Sequence, residues 1–176
     1  MKAGNFTADL FSDTAHLLPQ KEKLAEGAFI LRGFLKNDSE ALINTVQNII
    51  AAAPLRHMTT PGGYRMSVAM TNCGKQGWIT DRRGYRYDTI DPETAQPWPA
   101  MPALFIEAAK NAAQEAGFNN FMPDACLINC YQPGARLSLH QDKNEHDFDA
   151  PIVSVSLGLP ATFLLAVVLL YKAEPP

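Results

Sequence analysis

The chain is poor in several features that would sort it quickly into a class. Cysteine is scarce: Cys73, Cys126 and Cys130 are the three among 176 residues, and their odd count and spacing fit neither a disulfide framework nor a zinc site. Reduced thiols in a cytoplasmic protein are the expectation. Neither sign of charge dominates, since 15 Lys and Arg against 18 Asp and Glu leave a net charge of −3. That excludes a generically basic nucleic-acid binder, so such a partner would have to be held by a local patch. The first twenty residues mix Lys2, Asp9, Asp13 and His16 with apolar residues and contain no secretory hydrophobic run. Residues 150–171 carry no charge, but Pro151, Gly158 and Pro160 interrupt them, and Ser154 and Ser156 alternate with Val153, Val155 and Leu157. Alternation of this kind marks a strand, and the run after Pro160 is too short for a membrane helix.

No repeat or low-complexity block divides the chain, and its length suits one domain with a sizeable core. Residues 28–35 read as a strand. Asn37 with Glu40 has capping-box spacing ahead of a helix carrying Leu42, Ile43, Val46, Ile49 and Ile50. Residues 64–71 read as a strand and 72–88 as a polar, aromatic and basic loop or hairpin. Pro102 opens a second helix with Leu104, Phe105, Ala108, Ala109 and Ala112 on its inner stripe and Gly117 as C-cap. Strand patterns follow at 125–131, 136–140, 151–157 and 162–170. Early helices and late antiparallel strands define an α+β class with a β-sandwich or barrel core.

The densest chemical signal is Asn129-Cys130-Tyr131-Gln132-Pro133-Gly134 leading to His140-Gln141-Asp142-Lys143-Asn144-Glu145. In a strand, residues two apart share a face, so His140 and Asp142 project together. An imidazole and a carboxylate so placed form two thirds of the two-histidine, one-carboxylate triad that holds non-haem Fe(II) with open positions. The third ligand is missing from the pattern, because no histidine follows His146. A lone His-x-Asp is weak evidence, and a solvated surface pair is its ordinary reading.

Together with Thr60-Pro61-Gly62-Gly63-Tyr64, residues 66–74, residues 98–102 and residues 150–158, these blocks resemble the AlkB family over roughly residues 9–163. The resemblance implies a double-stranded β-helix (jelly roll) with N-terminal helices and a nucleotide-recognition lid at about 55–90. It also implies an Fe(II)- and 2-oxoglutarate-dependent dioxygenase that removes methyl groups from bases such as 1-methyladenine and 3-methylcytosine in DNA repair. Formaldehyde is released while O2 is consumed and 2-oxoglutarate becomes succinate and CO2. On this resemblance His140 and Asp142 are metal ligands and catalytic residues, Asn129 and Tyr131 contact 2-oxoglutarate, and Trp78, Tyr85 and Lys143 contact the substrate. Alkylated DNA, single-stranded by preference, is the expected partner of a monomer, with RNA a further candidate. Lys75, Arg82, Arg83 and Arg86 flank the two aromatics as a candidate phosphate footprint, set against Asp81 and Asp88.

The chain departs from that pattern in three places. Position 144 holds Asn where the family carries Asp. No arginine follows Arg136, so the family's C-terminal Arg-x5-Arg pair for the cofactor carboxylate has no counterpart. After Phe163 the sequence turns into Leu164-Leu165-Ala166-Val167-Val168-Leu169-Leu170-Tyr171. Residues 164–176 therefore read as a divergent tail on a truncated domain, and weakened turnover is the expectation. Two alternatives stay open: a non-catalytic single-strand-binding remnant, or a 2-oxoglutarate oxygenase acting on another substrate.

Overall fold

The computed structural model describes residues 6–9, 20–142, 145 and 147–165, with 6–9 described as backbone. The chain divides into two compact units, residues 1–34 with 156–176, and residues 35–155. In the first unit, β1 (Phe6–Asp9) runs antiparallel to a strand at Thr162–Leu165. The hairpin of β2 (Gln20–Ala25) and β3 (Ala28–Arg32) completes that unit's described elements. Gln20 lies opposite Arg32, and a bulge between Lys23 and Ala25 absorbs one residue before the turn.

The second unit carries the candidate site. It begins with a 3-10 turn at Lys36–Asp38, then α1 (Ser39–Ala52), which buries Leu42 and Ile49. The capping box expected at Asn37 and Glu40 does not form. The turn absorbs Asn37, Asp38 becomes the cap without a side-chain bond, and Ser39 Oγ instead donates to Lys36 O at 2.9 Å. The helix closes on the Ala53 N–H, which donates to Ile49 O, one residue before Pro54. The second helix, α2 (Ala103–Ala116), buries Ala108, Ala112 and Ala113 and follows Pro102, which is its cap rather than its first residue. Gly117 takes φ +98, and the N–H groups of Gly117 and Phe118 return to Gln114 O and Ala113 O. That is the left-handed C-terminal closure a glycine supplies without steric cost.

Two strand pairs then build the unit's frame. β4 (Ala69–Gly74) pairs antiparallel with β7 (Ala125–Cys130), Met70 opposite Asn129 and Cys73 opposite Cys126. β5 (Gly77–Asp81) and β6 (Gly84–Asp88) form the hairpin that the polar, aromatic segment suggested. Met58, Val68, Met70, Ile79 and Trp98 pack with Ala53 as a buried cluster, and Met66, Trp78, Ala135 and Leu137 lean on it. Met70 is thus a core residue. With Thr162–Leu165 numbered β8, the described residues hold four two-stranded antiparallel sheets.

The expected strands at 136–140 and 151–157 are not formed; both segments lie outside any ladder, and Leu139 sits at a bend. Alternation selects which side chains share a face, but a strand also needs a neighbour to accept its N–H and C=O groups. Among the described residues neither segment finds one. Their apolar side chains are correspondingly bare: Leu139 is 68%, Ile152 64% and Val155 42% exposed. Of the expected strand at 162–170, Thr162–Leu165 are described as strand; its remainder, with the divergent tail from position 166 onward, lies outside the described residues.

Gly77 shows how tightly the hairpin is fitted to this frame. A Cβ built there would lie 2.6 Å from Trp98 Cε2 and 2.7 Å from Asn72 Cβ. Gly77→Ala is therefore expected to destabilise the unit by about 1–3 kcal/mol through overpacking, read as a lowered urea midpoint. An unchanged midpoint would show that the hairpin is not seated against Trp98.

Candidate functional site

The site is built from the hairpin upward. Asn72, fully buried in β4, donates from Nδ2 to Trp78 O and accepts from Trp78 N at Oδ1, each at 3.0 Å. Both polar ends of one amide are thus used to fix the start of β5. At the other end of the hairpin, Trp98 Nε1 donates to Asp88 O at 3.0 Å. Trp98 in turn lies beneath the Arg56 guanidinium, 5.2 Å from its ring.

Arg56 grips Asp91 through both carboxylate oxygens, Nη1 to Oδ1 and Nη2 to Oδ2, the second at 2.6 Å. Asp91 is 1% and Arg56 10% exposed. Asp91 also accepts the Glu93 N–H at 2.9 Å, folding the proline-rich crossing onto the core. Burial pushes the Asp91 carboxyl up, but the bonds and charge of Arg56 outweigh it and hold it below the ordinary range. The same pair raises Arg56. The sequence reading singled out neither partner; no local pattern joins residues 35 apart.

The hairpin register puts Trp78 opposite Tyr87 and Thr80 opposite Tyr85, so Trp78, Tyr85 and Tyr87 share one face. Trp78 and Tyr85 stack with centroids 5.7 Å apart and planes 22° apart. Trp78 also leans on the core, whereas Tyr85 is 46% exposed. The two expected substrate aromatics are therefore brought together. The candidate phosphate footprint is only partly available. Arg86 chelates Asp81 at 2.9 and 3.1 Å, and Arg83 bonds the same carboxylate at 3.0 Å. Arg86 first and then Arg83 hold Asp81 well below the usual carboxylate range. Lys75 and Arg82 are exposed and make no ion pair with a described residue, so they are the cations left for a phosphate.

Asn129 and Tyr131, expected to share a direction, stand two residues apart across the end of β7. Asn129 is exposed on β7, and Tyr131, one residue past its end, is half-exposed. Neither side chain bonds a described residue, and partial burial raises the Tyr131 phenol.

His140 and Asp142 converge even without a strand. Nε2 and Oδ1 lie 3.6 Å apart, and metal bonds to nitrogen and oxygen of about 2 Å would let both reach one ion. Nδ1 of His140 is 2.7 Å from Ser138 O, which directs Nε2 outward as the ligand nitrogen, the usual support for a metal histidine. Two donors of the right chemistry for Fe(II) thus fit. No group of three His, Cys, Asp or Glu that could hold a metal occurs among the described residues. Lys143, the third expected substrate contact, lies outside the described residues, as do Asn144 and His146. Glu145 is described and accepts a 2.7 Å bond from Tyr87 Oη, tying the hairpin's aromatic face to a residue three positions after Asp142. Tyr87 was not singled out by sequence; its pairing with a residue 58 positions away has no local signature.

Residues 27–171 match the model of the 2OG-Fe(II) oxygenase superfamily, and the chain is an Fe(II)/2-oxoglutarate-dependent dioxygenase by class. Within that class it belongs to the AlkB family. It is 59% identical over 155 residues to the alpha-ketoglutarate-dependent dioxygenase AlkB of Escherichia coli (strain K12), covering 88% of this chain and 70% of that protein. It is 56% identical over the same shares to the AlkB of Salmonella typhimurium. The solved structure of OsALKBH1 aligns with a TM-score of 0.62 at 26% identity, over 72% of this chain and 62% of that one. The superfamily match and this structural likeness imply the jelly-roll fold. No described helix is long and apolar enough to cross a membrane.

Proposed function

We propose that this chain grips an alkylated nucleic-acid base between its aromatic hairpin and the His140–Asp142 segment, for oxidative demethylation in DNA repair. The observation that carries this reading is the Tyr87–Glu145 bond. It ties Tyr87, which shares a hairpin face with the Trp78–Tyr85 stack, to Glu145, three residues along the chain from Asp142, and this supports reading the two groups as one site. Residues 55–90 are then the lid, and 1-methyladenine and 3-methylcytosine in single-stranded DNA are the substrates, with RNA as a second carrier of the same bases. The reading takes the protein as a cytoplasmic monomer.

His140 Nε2 and Asp142 would hold the iron, and Asn129 and Tyr131 would meet 2-oxoglutarate. The chemistry supplied by that pair with O2 is hydroxylation of the N-methyl carbon, after which the methyl leaves as formaldehyde. The chain's own contribution is positional. A base must leave its stack to be reached, and an aromatic face replaces the lost stacking. A base made cationic by alkylation gains further from such a face. Lys75 and Arg82 would contact phosphate.

The test is quenching of tryptophan fluorescence by matched oligonucleotides with and without one 1-methyladenine, in EDTA. Tighter binding of the methylated strand, with salt-sensitive affinity for both, is expected. Equal affinities would contradict base recognition by this hairpin.

A further inference from the structure

The segment that carries the candidate ligands has few attachments. His140 is 56% and Asp142 53% exposed, and residues 136–142 take part in no ladder. Two side-chain ties bracket it. Upstream, Ser67 Oγ donates to Arg136 O at 2.9 Å, next to Ala135 and Leu137, which lean on the core. Downstream, Tyr87 Oη donates to Glu145 Oε1 at 2.7 Å. Among the described residues, the second is the side-chain tie just downstream of the ligand pair.

We propose that Tyr87 is a positioning residue: its hydroxyl latches the ligand-bearing segment to the base-gripping hairpin, so that metal affinity and base affinity are set by one bond. This rests on the reading of the site given above and extends it to a residue that touches neither metal nor base. Tyr87 suits the task by its place. It is opposite Trp78 in the ladder and shares its face with the Trp78–Tyr85 stack. Its hydroxyl is partly buried, where a bond to a carboxylate is stronger than one in water. A latch of this kind acts by preorganisation, since ordering the segment in advance removes that cost from each binding event.

The experiment is a double-variant cycle of Tyr87→Phe and Glu145→Ala with two readouts that need no turnover. These are Mn(II) affinity from the free-ion EPR signal without nucleic acid, and affinity for a 1-methyladenine oligonucleotide in EDTA. Each single variant is expected to lose about tenfold on both readouts, the worth of one charge-assisted bond. The double variant should be no worse than either single one. Glu145→Gln, whose amide oxygen still accepts, should retain most of the affinity. Unchanged Mn(II) affinity in Tyr87→Phe, or losses that multiply in the double variant, would overturn the latch. Should Tyr87→Phe fail to fold, Glu145→Ala alone decides by the same Mn(II) criterion. If the wild-type chain fails to discriminate the methylated strand, the base-recognition reading falls, while the metal readout still judges the latch.

Discussion

Arg56→Met is expected to cost about 3–5 kcal/mol of folding stability, the usual consequence of stranding one charge of a buried pair. The stranded group is Asp91, almost fully enclosed and bonded in the native chain by both guanidinium nitrogens. Removing the arginine also removes the cation packed on Trp98 and so loosens the anchor of Asp88 at the end of the hairpin. The pH dependence gives the mechanism a signature. In the native chain Asp91 sits below its unfolded value, so its contribution is present above about pH 4 and is lost as pH falls through the depressed folded value. In the variant, burial, the largest influence on this carboxyl, is opposed only by the Glu93 N–H and by Thr94, so the carboxyl rises from its native value. The group then takes up its proton at a higher pH than in the native chain, and the deficit relative to the native chain narrows toward acid. Urea denaturation between pH 7 and 4.5 checks both the size and this convergence. A deficit under 1 kcal/mol, or one independent of pH, would contradict the assignment.

Trp78→Ala is expected to weaken binding of a 1-methyladenine oligonucleotide by about 1–3 kcal/mol, roughly 5- to 150-fold, the worth of one aromatic stacking platform. Trp78 also leans on the core, so part of any loss could reach binding through a disturbed hairpin. Tyr85→Ala separates the two. Tyr85 is nearly half exposed and packs on Trp78 without entering the core. It should lose affinity for the methylated strand with little change in melting temperature. If both variants bind the methylated strand as the native chain does, these aromatics serve only to hold the hairpin together.

These expectations draw unequally on sequence and structure. The hairpin was legible because the turn Asp81 to Gly84 is flanked by strand-forming aromatics. The strand carrying Asn129 was legible from its apolar pattern, and it ends one residue short of Tyr131. The β-ladder at 136–140 was wrongly read, because alternation identifies a face and not a partner, and the described residues supply none. His140 and Asp142 nonetheless converge, their Nε2 and Oδ1 atoms 3.6 Å apart. The Asn37 cap failed because a 3-10 turn, closed by the Asp38 N–H on Leu35 O, moved the helix start past it. The arginines beside Trp78 were legible as basic residues, but their capture by Asp81 depends on the hairpin bringing both strands together. Arg56–Asp91 and Tyr87–Glu145 join residues 35 and 58 positions apart. Such ties are set by the packed frame, and a single sequence carries no trace of them.

Manganese titration of the 176-residue chain, followed by EPR, tests the metal centre most directly. The native chain should bind one Mn(II) weakly, as two protein donors allow. His140→Ala and Asp142→Ala should each lower that affinity at least about tenfold, the scale on which even supporting residues of a metal site matter. If both variants bind Mn(II) as the native chain does, the ion is held elsewhere and the pair at 140 and 142 is no metal site.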